Sequence, residues 1–140
     1  MQDNEAVCRF LDILYMLQLT TILFLISFSL LAVLHVIAIE LYLYWHFFWF
    51  DIFMHFFGGT VVALGVHTLA DLRIVKSSRL VTSVVVGAVF LVAVVWEVFE
   101  LSAGVPVESD FILDTTTDLL VGLCGAYIGH KLAVRLNILK

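Results

Sequence analysis

The chain has 140 residues, of which 63% are hydrophobic, and its mean hydropathy is +1.12. An ordinary soluble domain is about 45–50% apolar, and a globule of this size could not bury such an excess. The composition therefore predicts a multi-pass membrane protein and excludes soluble enzymes and disordered regulators. Seven lysines and arginines stand against twelve acidic residues and form no basic patch, so we expect no nucleic-acid partner.

Apolar stretches long enough to cross a bilayer, which takes about 20 residues of helix, make up most of the chain. An interfacial segment at about 6–18, which carries Arg9 and Asp12, precedes them. We predict one transmembrane domain over residues 1–140, an all-α integral membrane four-helix bundle. Its spans are predicted at about 19–43, 51–70, 80–101 and 113–134.

The basic residues predict the orientation of these spans. All seven lie near the N-terminus, between the second and third spans, or towards the C-terminus. With four spans, these three segments share one side of the membrane, and the positive-inside rule makes that side cytoplasmic. We therefore expect both termini in the cytoplasm and the other two connections outside.

Aromatic residues are concentrated between the first two spans, at Tyr42, Tyr44, Trp45 and residues 47–50. Aromatic rings gather at membrane–water boundaries, so we interpret this run as an outer aromatic belt. A platform for a quinone or a lipid is the alternative.

Glycines recur within two of the spans. Gly122, Gly125 and Gly129 lie three and four residues apart in the fourth span, and Gly58 and Gly59 are adjacent in the second. Small residues at such spacing let helices approach closely in lipid, so we predict that they serve packing.

Ionisable residues in the spans come in three pairs at helical spacing: Asp51 with His55, Glu97 with Glu100, and Asp114 with Asp118. A spacing of three or four residues places both members of a pair on one helix face. In the predicted topology each pair lies at the outer end of its span, so three helices bring six polar side chains to one depth. Ionisable groups in a membrane are costly and mark functional sites.

Five carboxylates and one imidazole at that depth, without an outer lysine or arginine, need bound cations or protons. We predict a metal site, and two carboxylate-bridged divalent ions would nearly balance the charge. Oxygen-rich donors with histidine suit Fe, Mn, Zn or Mg. Glu100 is the candidate catalytic base, and Glu40 and His46 could join or orient the ligands. The predicted ligands are Asp51, His55, Glu97, Glu100, Asp114 and Asp118.

Two other interpretations of the acidic residues stay open. The carboxylates could share protons, or Asp51 and Asp114 could be N-caps, a position that aspartate favours. Capping least explains His55, Glu97 and Asp118, which lie about one turn further into their spans.

The remaining histidines in the spans are assigned to the structure rather than to the site. His67 and His130, near the inner ends of their spans, are predicted to snorkel to the inner interface, with a second site or a proton exit as alternatives. His35, in the middle of the first span, is predicted to hydrogen-bond across helices, with a proton path as the alternative.

Three polar segments of the chain carry a resemblance to small prokaryotic multi-pass membrane proteins of the VanZ-like and YjdF-like kind. They lie between about Asp51 and Gly125, and the last departs by one position from the Asp-Thr-x-x-Asp-Leu pattern of those proteins. The resemblance implies the fold, the position of the site and a prokaryotic plasma (inner) membrane, rather than a reaction. The segments are Asp51–His55–Phe56, Trp96–Glu97–Glu100, and Asp114–Thr115 with Asp118–Leu119.

Three functions fit these observations. The first is a metal-dependent hydrolase or oxidase that acts at the outer leaflet on a lipid or lipophilic substrate. The second is a divalent-cation or proton-coupled transporter or binding protein, although transport sites usually lie near the membrane midplane. The third is a non-catalytic scaffold with a structural metal, which the small size favours. Membrane lipids are the expected partners, and a homo-oligomer would give a substrate more room.

Overall fold

The computed structural model describes residues 18–103 and 111–138. Within these ranges the chain forms helices and turns and no strand. The predicted interfacial segment at about 6–18 lies, except for Gln18, outside the described residues. The helices are α1 (Leu19–Glu40), α2 (Leu43–His46), α3 (Phe48–Asp71), α4 (Thr82–Ala103) and α5 (Phe111–Ile138), with a 3₁₀ turn at Ser77–Arg79.

Four of these helices, α1, α3, α4 and α5, are long and apolar enough to cross a membrane. Their outward side chains are large and apolar, and Leu25, Val36 and Val95 are each at least half exposed on the surface of the bundle. Lipid is the surrounding that such a surface needs. The predicted all-α membrane bundle is confirmed.

The first two spans differ from their predicted bounds, because the aromatic run is helical rather than a loop. Helix α1 ends at Glu40, and Tyr42 adopts a left-handed backbone with φ 56°. A non-glycine residue in this conformation cannot continue a right-handed helix. Helix α2 then forms four residues long, and α3 begins at Phe48 instead of residue 51.

Helices α1 and α4 run in one direction, and α3 and α5 run in the other. We call the end at which α1 and α4 finish the acidic end, and the opposite end, where α3 and α5 finish, the basic end. Helix α3 is central and packs on each of the other spanning helices, most extensively on the parallel helix α5. Helices α1 and α4 scarcely touch each other.

Glycine makes the close contact between α3 and α5, as predicted. A Cβ atom on Gly59 would overlap the Gly122 carbonyl oxygen, and one on Gly125 would overlap the backbone of Phe56. The Thr60 hydroxyl adds a hydrogen bond of 3.1 Å to the Gly125 carbonyl oxygen. Gly58 differs from its neighbour, because a Cβ there would meet nothing within 4 Å.

A buried polar network joins the helices at the basic end. The Thr21 hydroxyl donates to the Asp71 carboxylate at 2.9 Å, which connects α1 to α3. His67 Nε2 and His130 Nδ1 are 2.9 Å apart, and His130 Nε2 lies 3.1 Å from the Thr82 hydroxyl, which connects α3, α5 and α4. The prediction that the two histidines snorkel is wrong, since both are about 95% buried and hydrogen-bond each other.

Removal of the His130 imidazole is expected to loosen the basic end. His130→Ala leaves His67 and Thr82 without their shared partner, and an unsatisfied buried polar group costs ~1–3 kcal/mol. The midpoint of thermal unfolding in detergent should fall. Leu132→Ala, at an exposed position of the same helix, should change it little. Equal midpoints for His130→Ala and the wild type would contradict a stabilising role.

Candidate metal centre

His55 lies at the middle of the acidic end, with carboxylates on both edges of its ring. Its Nε2 atom is 3.5 Å from Asp51 Oδ1 and 3.9 Å from Asp118 Oδ2. Its Nδ1 atom is 3.9 Å from Glu97 Oε1. The ring therefore faces acids from its own helix α3 and from both α4 and α5.

Two groups of potential ligand atoms share His55. One is Asp51, His55 and Asp118, and the other is His55, Glu97 and Glu100; within each group the ligand atoms lie within 4.8 Å of one another. The side chains of His55, Glu97 and Asp118 are 9%, 11% and 5% exposed, against 30% for Asp51. The three residues that capping explained least are thus each more buried than Asp51.

Glu97 has one oxygen in use and one without a partner. Thr115 in α5 donates its hydroxyl hydrogen to Glu97 Oε2 at 3.0 Å. Glu97 Oε1 is buried and has no hydrogen-bond partner among the described residues, and it faces His55. A buried carboxylate oxygen without a partner is costly, so Glu97 Oε1 is a candidate acceptor at this centre.

Glu100 joins the centre to a cavity of about 290 Å³ between α1, α3 and α4. Glu100 lines the cavity together with Asp51, His55 and Trp96. The predicted base therefore faces the cavity.

Asp114 is near the centre but outside both groups of ligand atoms found among the described residues. Its charge acts on His55 and Glu97, and its side chain is half-buried. Neither Asp51 nor Asp114 is an N-cap, in contrast to the capping interpretation. Both lie in the first turn of their helices, α3 and α5, where the helix dipole favours a negative charge.

Glu40 and His46, the two supporting residues proposed from the sequence, also lie outside these groups. Glu40 is exposed at the end of α1. His46 is exposed in α2, and its Nδ1 atom lies 2.8 Å from the Tyr42 carbonyl oxygen.

Tyr44 and His35 complete the polar part of the cavity, and sequence reasoning did not assign Tyr44 to the site. Burial, and then the charges of Asp51 and Glu100, raise the pKa of the Tyr44 phenol, which therefore stays protonated. Its hydroxyl oxygen lies 2.8 Å from His35 Nδ1, and the two groups share a hydrogen bond. The predicted hydrogen bond of His35 is confirmed. In sequence, nothing separates Tyr44 from the aromatic residues around it.

The described lysines and arginines lie at the other end of the molecule. Arg73, Lys76 and Arg79 follow α3, and Lys131 and Arg135 belong to the final turns of α5. The ion pairs found at the acidic end involve only His55 as the basic partner within the described ranges. The carboxylates at that end therefore have no lysine or arginine beside them among residues 18–103 and 111–138.

The chain matches the family described as "Predicted membrane protein (DUF2238)" over residues 6–137 and belongs to that family. This membership agrees with the resemblance to small prokaryotic-type membrane proteins drawn from the polar segments. No curated protein and no solved structure matches the chain. The fold and the family together establish a multi-pass membrane protein.

Proposed function

We propose that the acidic end of this family member binds a divalent metal ion between Asp51, His55 and Asp118. The observation that carries the proposal is the spacing of the facing atoms. At 3.5 and 3.9 Å, the two carboxylates are too far from His55 Nε2 for ordinary hydrogen bonds. Two ligand atoms that are each about 2.0–2.2 Å from one ion lie roughly 3–4 Å apart, so the spacing suits ligands of one ion.

The second nitrogen of His55 accounts for Glu97. A neutral imidazole offers one lone pair and one N–H, and a metal-bound histidine commonly donates that N–H to a carboxylate. His55 Nδ1 faces Glu97 Oε1, and Thr115 fixes the other Glu97 oxygen. The Nδ1–Oε1 distance of 3.9 Å is also longer than an ordinary hydrogen bond, so we infer that Glu97 attracts the N–H through its charge and thereby orients the ring. One ion per chain is favoured over two, because a second ion would have carboxylates alone as protein ligands.

The distribution of basic residues supports an outer location for this site. The described lysines and arginines lie at the basic end, and lysine and arginine accumulate on the cytoplasmic side of a membrane. We therefore assign the acidic end to the outer leaflet of a prokaryotic plasma membrane, with both termini in the cytoplasm.

Hydrolysis of a lipid or another lipophilic substrate suits this site best. A bound divalent ion makes water a nucleophile at neutral pH. Glu100 lines the cavity and can accept the proton of that water, while the departing group of the substrate takes a proton in turn. Several carboxylates with one histidine suit Mg, Mn or Zn, whereas an iron oxidase would be expected to use more histidine.

Transport and a purely structural metal fit the cavity less well. The part of the cavity furthest from the acids is apolar, with Val62 and Val89 in its wall, whereas cation paths need polar groups near the midplane. A structural ion would need no access, yet Asp51, His55 and Glu100 all face the cavity.

Metal titration of the purified full-length protein tests the proposal. After chelation and dialysis, we expect Zn or Mn to bind at about one ion per chain. Asp118→Asn removes one charged ligand and should weaken binding at least about tenfold. Asp71→Asn is the matched control, because Asp71 is equally buried but lies at the basic end, and it should bind as the wild type does.

The titration has outcomes that decide against the proposal. Absence of metal binding by the folded wild-type protein would refute it. Equal losses in Asp118→Asn and Asp71→Asn would mean that binding depends on the fold alone. Two ions per chain would instead support the dinuclear centre expected from the sequence.

A further inference from the structure

The cavity beside the metal centre is polar at one end and apolar along the rest of its length. His35, Tyr44, Asp51, His55 and Glu100 form the polar end. Away from these residues its walls are apolar, contributed by α1, α3 and α4. Its volume of about 290 Å³ is at the lower limit of ligand pockets, which are ~300–1,000 Å³. Such a cavity suits a slender molecule with one polar end.

The depth of the cavity matches half of a bilayer. Asp51 and Val62 line it eleven residues apart on α3, and Glu100 and Val89 line it eleven residues apart on α4. Eleven residues of helix span roughly 16 Å, and half of the hydrocarbon core of a bilayer is about 15 Å. A hydrocarbon chain from one leaflet would therefore extend from the acids to the inner limit of the cavity.

The cavity lies along the seam between α1 and α4, the two helices that scarcely touch. At the polar end the seam is bridged by the His35 and Trp96 rings, whose centroids are 5.5 Å apart. Further from the acids, Phe28 and Val92 line the cavity from the two sides of the seam and are each about half exposed. Since this surface lies in lipid, the opening faces hydrocarbon rather than water.

We propose that this cavity holds one hydrocarbon chain of a membrane lipid from the same leaflet, with the polar headgroup at the metal centre. The chain enters sideways along the seam between α1 and α4. The inference deepens the proposed function and rests on it only for the chemistry at the headgroup. It names the substrate class as a lipid bound through a single chain, whose bond to be cleaved lies near the headgroup.

Two glycines provide a matched pair of variants. Gly58 lines the cavity and Gly87 does not, and a Cβ at either position would meet nothing within 4 Å. Leucine at position 58 is therefore expected to extend into the cavity, and leucine at position 87 is the control. Ala93→Leu obstructs the same space from α4 and serves as a second variant.

The experiment uses the full chain in vesicles of phosphatidylethanolamine that carry a photoactivatable diazirine on one acyl chain. After irradiation, lipid adducts are mapped by mass spectrometry on the peptides that contain Val62 and Val89. We expect abundant adducts in the wild type and Gly87→Leu, and about tenfold fewer in Gly58→Leu and Ala93→Leu.

Metal titration of the same samples separates this inference from the proposed function. Loss of adducts in Gly58→Leu with metal binding intact supports the binding of a lipid chain in the cavity. Wild-type labelling of both Gly58→Leu and Ala93→Leu would refute it, and equal losses in Gly87→Leu would also refute it. If the wild type binds no metal but the adducts follow this pattern, the proposed function is refuted and the binding of a lipid chain in the cavity is supported.

Discussion

His55→Ala is expected to abolish metal binding, with affinity reduced more than about 100-fold. His55 is the residue that the two groups of ligand atoms share, and the only nitrogen donor in either group. Its removal leaves carboxylates that repel one another around an empty space. The measurement is isothermal titration calorimetry in detergent. Zn or Mn is added to protein from which metal has been removed by a chelator.

His67→Ala is the matched control for this prediction. His67 is a buried histidine on the same helix, but it lies at the basic end and pairs with His130. It should lose thermal stability and retain metal binding. Retained affinity in a folded His55→Ala variant would show that the ion, if any, binds to carboxylates elsewhere, and it would remove the basis of the proposed centre.

Local sequence patterns predicted much of the candidate centre, because helical spacing determines which side chains share a face. Asp51 and His55 belong to one group of potential ligand atoms, and Glu97 and Glu100 belong to the other, as their spacing predicted. The pattern did not distinguish Asp118 from Asp114, which share a face of α5. Only the deeper aspartate reaches His55, since α5 begins at Phe111 and leaves Asp114 in its first turn.

The pairing of His67 with His130 was not predicted from the sequence. His67 and His130 each lie near the end of a span, where the side chain of an isolated histidine would be expected to extend to the membrane interface. Their pairing depends on the parallel register of α3 and α5, which the contacts around Gly59 and Gly125 fix. A single sequence contains no signal for that register.

The aromatic run between α1 and α3 shows the same limit for backbone structure. Composition predicted a belt, and Trp45, Phe47 and Phe48 are indeed exposed. The left-handed turn at Tyr42 starts a separate short helix, which directs Tyr44 towards His35. The position of Tyr44 depends on the backbone angle of one non-glycine residue, Tyr42. Neither hydropathy nor periodicity could therefore predict that position.

Gly125→Val is expected to prevent formation of the native bundle. The added Cβ would overlap the Phe56 backbone carbonyl and lie 3.1 Å from the Thr60 nitrogen. Both obstacles are backbone atoms, so no side-chain rotation relieves them. We expect a loss of at least about 3 kcal/mol, which is large for a single substitution. The measurement is the yield of monodisperse protein in detergent and its thermal unfolding midpoint.

Gly87→Val is the control, since a Cβ at position 87 of α4 meets nothing within 4 Å, and it should purify and unfold as the wild type does.

Gly125→Val should lose metal binding together with the α3–α5 contact. Asp118 is carried by α5 and faces His55 on α3, so a displacement of α5 by one side-chain width separates the two ligands. A folded Gly125→Val variant with wild-type metal affinity would contradict this dependence. It would mean that the acids find His55 without the glycine contact, and that the register of α3 and α5 is fixed by the His67–His130 pair instead.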